Sequence, residues 1–200
     1  MTDEKNNEEP IDDVNKFLPP PSRPDLPLVI TNQWKLGNIK NTITSILTNP
    51  VVDTLVAVSP FISPFFVKMM CKTKLKNFIL LINRDDLNPD YVKKAVTDLK
   101  NVPFGVIVRE RPPKSKFVHM KVLIPYVRVD RVLKKGMQNM KETRLEPCCA
   151  ISGSVNFTQN GITISDELLF IVRDIYSINM IVESYSDLLK GSILVYDSQH

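Results

Sequence analysis

Two hundred residues, 43% of them hydrophobic and 24% charged, suffice for one medium domain with its own core. The formal charge of +4 is uneven: Asp3, Glu4, Glu8, Glu9, Asp12 and Asp13 against Lys5 and Lys16 give residues 1–20 a net −4, so the rest of the chain carries +8, a balance suited to a polyanionic partner. Cys71, Cys148 and Cys149 make neither a disulfide framework nor a zinc-ligand spacing, no basic-then-apolar leader opens the chain, and no run reaches the roughly 18 apolar residues of a membrane span, so a reducing, cytoplasmic setting without a membrane is expected.

Residues 1–27 are acidic and then proline-rich (FLPPPSRPDLP), a composition that cannot pack a core; they are expected to form a flexible tail ahead of a single domain, 28–200. In QWKLGNIKNTITSILT (33–48), Trp34, Leu36, Ile39, Ile43, Ile46 and Leu47 fall close to one helical face. VDTLVAVSP (52–60) is a β-branched run closed by a proline, a buried strand. SPFFVKMMCKT (63–73) reads as a helix started by Ser63 and Pro64, its aromatics belonging to the core. KNFILLINRDD (76–86) is a second buried strand, and NPDYVKKAVTDLK (88–100) an amphipathic helix capped by Asn88 with Pro89 behind it. FGVIVRER (104–111), FVHMKVLIP (117–125), CCAISGS (148–154) and ELLFIVRD (167–174) read as the third to sixth strands, and IYSINMIVESYSDLLKG (175–191) as a closing helix that stops at Gly191. Between the fourth and fifth strands, residues 127–147 form a basic insertion, expected as a hairpin turning at Gly136 or as a loop with a short helix. Apolar strands alternating with helices predict an α/β fold, a layered sandwich with a central mixed sheet covered by helices on both faces.

One histidine, His119, lies inside the chain; the other is His200 at its end. His119 and Lys121 sit two apart on a predicted strand and so share a face. Ser152, Ser154 and Asn156 repeat that spacing in SGSVNFTQNG (152–161), where Gly153 allows close backbone approach, and Glu167 opens the next apolar strand. If these strands are neighbours, the set converges at one end of the sheet. A histidine can attack a phosphodiester to give a phosphohistidine. A lysine and an asparagine can hold the non-bridging oxygens, and a carboxylate can orient the imidazole. A second histidine must protonate the leaving oxygen, and the route needs neither metal nor cofactor. The insertion, expected to leave the sheet beside this site, offers Arg128, Arg131, Lys134 and Lys135 as phosphate contacts.

HMK at 119–121 followed by GSVNFT at 153–158 resembles the histidine-lysine signature of the phospholipase D superfamily. VAVSPFIS, FILLINRDD and SDELLFIVRD follow in the order of the family's core strands, so the resemblance spans about residues 33–190. It implies His119 as nucleophile or general acid, Lys121 and Asn156 as phosphoryl ligands, Ser154 as a hydrogen-bonding partner in the pocket, and Glu167 as the group that orients the histidine. The family's aspartate five residues after the lysine is replaced by Tyr126. Because the chemistry uses two histidines and one is in place, the resemblance implies a symmetric homodimer sharing a single site. The basic body favours nucleic acid, DNA or RNA, over lipid as substrate, hence a nuclease. The alternative expectation, motivated by Tyr126, is a catalytically inactive nucleic-acid-binding or assembly module.

Overall fold

The computed structural model describes residues 28–31, 38–83, 90–112, 119–135 and 138–198. The tail, the Asn88–Pro89 cap and the turn at Gly136 lie outside the described residues. The strands are β1 (Leu28–Thr31), β2 (Val52–Val58), β3 (Asn77–Asn83), β4 (Gly105–Arg111), β5 (Val122–Lys135), β6 (Gln138–Pro147), β7 (Ala150–Gly153), β8 (Leu168–Val172) and β9 (Ile193–Asp197). The helices are α1 (Asn38–Thr48), α2 (Pro64–Met70), α3 (Asp90–Leu99), α4 (Gln159–Thr163) and α5 (Ile175–Lys190). The strands make one mixed sheet in the order β1-β8-β7-β5-β2-β3-β4-β9, with β6 paired to β5 alone. Among the described strands, the β2-β3 and β3-β4 pairs are parallel and the others antiparallel.

The period-two alternation of the strands divides the core between two faces. On one side Leu55, Ala57, Phe78, Leu80, Val106, Leu123, Ile151 and Leu169 meet apolar residues of α1, α2, α3 and α4, among them Ile39, Phe66, Ala95 and Ile162. On the other, Val56, Val58, Leu81, Val122 and Ile124 meet Ile181, Val182, Tyr185, Leu188 and Leu189 of α5. The sheet is therefore a layer between helices, as the alternating pattern predicts. All seven residues of β2 are buried, which is why the segment reads as apolar from Leu55 to Val58, with Asp53 and Thr54 as its two polar members. Phe66, fully buried, stacks on Phe157 with ring centroids 5.0 Å apart, placing the α2 aromatics in the core as expected.

Two sequence expectations need correction. The fourth strand begins at Val122, so His119 and Lys121 lie on its lead-in, and it runs through Pro125 to Lys135. A proline normally interrupts a ladder because it has no N–H. Here the Pro125 carbonyl accepts from the Cys148 backbone N–H, at the break between β6 and β7. A strand residue points its N–H and C=O to the same side, so the missing donor faces that break, where no ladder bond is lost. The insertion is the hairpin alternative, with β5 and β6 paired from Tyr126 opposite Pro147 to Lys135 opposite Gln138.

The second correction concerns where this hairpin points. β5 starts at the edge of the candidate site, with Val122 opposite Val58 on one side and Ser152 on the other, and leaves β2 at Val127 opposite Val52. The basic hairpin therefore projects from the end of the sheet opposite to His119, not beside it.

Candidate active site

Four chain segments meet at one end of the sheet: the His119–Lys121 lead-in to β5, the C-terminal end of β2, the Ser152–Ser154 end of β7, and Glu167 before β8. Gly153 makes the β7-β8 junction possible. A Cβ there would lie 1.9 Å from the Leu168 carbonyl oxygen, so only glycine admits the approach. That closeness lets the Ser154 N–H donate to the Leu168 carbonyl at 3.0 Å, and the Leu168 N–H donate to Ser154 Oγ at 3.0 Å. Ser154 Oγ in turn donates to Glu167 Oε2.

Lys121 is only 6% exposed. Its ammonium lies 3.3 Å from His119 Nδ1 and 3.2 Å from Nε2, and donates to the His119 carbonyl at 3.2 Å. The imidazole itself is exposed to solvent. Burial pushes the Lys121 pKa below that of a free lysine, while the Glu167 carboxylate attracts the charge and opposes the shift. The two halves of the site, His119 with Lys121 and Ser154 with Glu167, are thus coupled electrostatically through the buried ammonium.

Asn156 lies on the loop between β7 and α4. The parallel bridge of Ile62 with Phe157 and the Ser63 N–H to Phe157 carbonyl bond, 3.1 Å, tie this loop to the segment after β2. Thr158 caps α4 by accepting from the Gly161 N–H, and a Cβ at Gly161 would lie 2.5 Å from the Asn156 carbonyl. Asn156 Oδ1 is buried without a hydrogen-bond partner among the described residues.

Tyr126 stands apart from this group. Along β5 it alternates with Leu123 and lies in the cluster under α5 with Ile124 and Tyr185. Burial raises its phenol pKa, as it does that of Tyr185. The position that departs from the histidine-lysine signature therefore belongs to the α5 core.

Of the basic candidates, Arg128 Nε binds Asp53 Oδ2 at 2.6 Å and Arg131 pairs with Glu146 at 2.8 Å. Lys134 and Lys135 occupy the distal rungs of the hairpin, opposite Asn139 and Gln138. Sequence reasoning did not single out Asp53, a buried carboxylate whose partners Arg128 and Lys76 are remote in sequence. Its one signal was an acid inside the β2 apolar run. Among the described residues, no group of three or more His, Cys, Asp or Glu side chains is arranged to hold a metal ion, and no helix is long and apolar enough to cross a membrane.

No family model and no curated protein matches the sequence. The likeness is to solved structures. NucT from Helicobacter pylori superposes with a TM-score of 0.60 at 12% identity, over 84% of this chain and 98% of NucT. Nuc from Salmonella typhimurium, a phospholipase D family member, gives 0.57 at 16% identity, again over 84% of this chain and 98% of Nuc. Phosphatidylserine synthase from Haemophilus influenzae gives 0.52 at 9% identity, over 84% of this chain and 40% of the synthase. The chain has the phospholipase D-like fold. Within that class it has the extent of Nuc and NucT, whose whole length it spans, and corresponds to less than half of the synthase.

Proposed function

We propose that this protein is a phosphodiesterase, a nuclease acting on DNA or RNA through a covalent phosphohistidine without a metal, in an active site shared by two copies of the chain. The observation that carries this reading is the contact of His119 with Lys121 at the sheet end where Ser154 and Glu167 also meet. These residues belong to the stretches, HMK and GSVNFT, on which the resemblance to the histidine-lysine signature rests.

A His119 ring nitrogen attacks phosphorus, and the bond to the leaving oxygen breaks. That oxygen takes a proton from His119 of the second copy. Water, deprotonated by that second imidazole, then attacks phosphorus and frees the first. Lys121 and the Asn156 amide hold the non-bridging oxygens as charge builds on them. Glu167, steadied by Ser154, keeps Lys121 charged and supports the imidazolium. Lys134 and Lys135 supply positive charge for nucleic acid away from the site, while Arg128 and Arg131, paired with Asp53 and Glu146, hold the base of the hairpin. The packing of Tyr126 under α5 favours an active enzyme over the inactive-module reading, because the departure removes nothing from the cleft.

Cleavage of end-labelled single- and double-stranded DNA and RNA in excess EDTA tests this. The wild type is expected to cut at least one of them, and His119→Ala to cut none. A folded wild type that binds the oligonucleotides and cuts none of them would overturn the reading in favour of a binding module.

A further inference from the structure

Beyond Val127, β5 has no partner on the β2 side, and β6 pairs with nothing but β5, so among the described residues the hairpin is a two-stranded ribbon with both edges unpaired. Eight further residues of β5 at about 3.3 Å each carry it roughly 25 Å beyond the β2 edge. From Val122 at the site to Lys135 the strand runs about 40 Å. A lone ribbon is at best marginally stable in water, so its retention calls for something that braces it and something that it meets.

The brace is visible at its base. Arg128 is held by the buried Asp53, Arg131 by Glu146, and Arg144 by Glu142 at 2.8 Å, while the Thr143 hydroxyl donates to Asp130 at 2.7 Å. All three acids of the ribbon, Asp130, Glu142 and Glu146, are engaged there. Residues 132–141 then carry Lys134, Lys135 and Lys141 and no acid, a net +3. Val132, 59% exposed, sits opposite the exposed Lys141. Charge is balanced at the base and wholly positive toward the tip.

We infer that the ribbon is a DNA-binding arm that enters the major groove of a B-form duplex, about 40 Å from the scissile phosphate. A two-stranded ribbon fits the roughly 12 Å major groove of B-DNA, whereas the deep, narrow major groove of A-form RNA excludes it. Lys134, Lys135 and Lys141 would meet phosphates along that groove, and Arg128 and Arg131 brace the arm. The inference rests on nucleic acid being the substrate. It predicts that the protein senses duplex length, because a short duplex can fill the cleft without reaching the arm.

The test measures binding, on a His119→Ala background, to hairpin duplexes of about 8 base pairs, roughly 27 Å, and of about 30 base pairs, roughly 100 Å. The long duplex should bind at least about tenfold more tightly. Replacing Lys134, Lys135 and Lys141 by Gln should abolish that difference and lower the salt slope on the long duplex by about 2.7, three contacts at about 0.9 each. A shortened ribbon, Asp130 joined to Thr143 through Asn-Gly, should do the same. Equal weakening on both lengths, no weakening on either, or equal length dependence with duplex RNA would each overturn the arm. Turnover by the wild type is scored separately, so cleavage without length dependence sinks the arm alone, and length-dependent binding without cleavage sinks the enzyme alone.

Discussion

Tyr126 is the residue at which the sequence departs from its resemblance, and its surroundings say what substitution there would do. It packs with Ile124 and Tyr185 under α5. Tyr126→Asp would place a carboxylate in an apolar cluster and should destabilise the fold by about 2–4 kcal/mol. It should not raise turnover per folded molecule. Tyr126→Phe should fold within about 1 kcal/mol of the wild type and keep full turnover. Denaturant midpoints with activity normalised to folded protein decide this, and a gain of activity in the aspartate variant would place the residue in the cleft after all. Lys121 is the opposite case. Burial lowers its pKa against the pull of Glu167, so the unfolded chain holds that proton more firmly and stability rises with pH between the folded value and the ordinary 10.5. Lys121→Met should remove that slope and cost no stability at neutral pH, yet lose turnover on the order of 10²–10³-fold. Destabilisation matching the lost activity would make the lysine structural. Gly153→Ala should be severe for a third reason. Its Cβ would collide with the Leu168 carbonyl, forcing β7 from β8 at a cost of about 3 kcal/mol, visible as a lowered melting temperature.

At the scale of elements, Asp53 joins the ribbon to the body. Burial works to raise its carboxyl pKa, but the bonds from Arg128, Lys76 and Thr54 outweigh it and leave it below the ordinary 3.8. Folding thus favours the deprotonated form. The stability it contributes is whole above the ordinary value and disappears as pH falls through the depressed one. Asp53→Asn should cost about 2 kcal/mol at pH 7, and the gap from the wild type should close below about pH 4. A gap constant with pH in chemical denaturation would show that the ion pairs contribute nothing. The same elements show what could be read from sequence. β2, β3, β4, β8 and α5 declare themselves because burial on one or both faces leaves an apolar run or stripe. β1, β9 and α4 do not. β1 and β9 are short strands at the sheet edges, and β9 leaves Ile193, Leu194 and Val195 half in solvent, with no alternation to mark it. α4 has five residues and owes its place to the Thr158 cap. The candidate site residues were picked out by local spacing: His119 with Lys121, and Ser154 with Asn156. The direction of the ribbon was not, because it depends on where β2 ends beside β5, and no local pattern encodes a register.

At the scale of the whole molecule, the proposed chemistry uses two histidines and the described residues supply one. His119 is the single histidine among the described residues, and a leaving oxygen needs a proton donor besides the nucleophile. His119 is exposed at the end of the sheet, the position from which a second copy would bring its own imidazole to the proposed site. In such a pair each ribbon would point away from the shared site, since each leaves its sheet at the far end. Stoichiometry tests the arrangement directly. When wild type and His119→Ala are unfolded together in equal amounts and refolded, only dimers with two wild-type chains hold both histidines. Activity should follow the square of the wild-type fraction, falling to about a quarter, whereas chains that work alone would keep about half. Dilution should abolish turnover at the concentration where sedimentation shows the pair dissociating. Activity linear in the wild-type fraction would mean that another group of the same chain protonates the leaving oxygen, and the search for it would begin with Lys121 and Glu167.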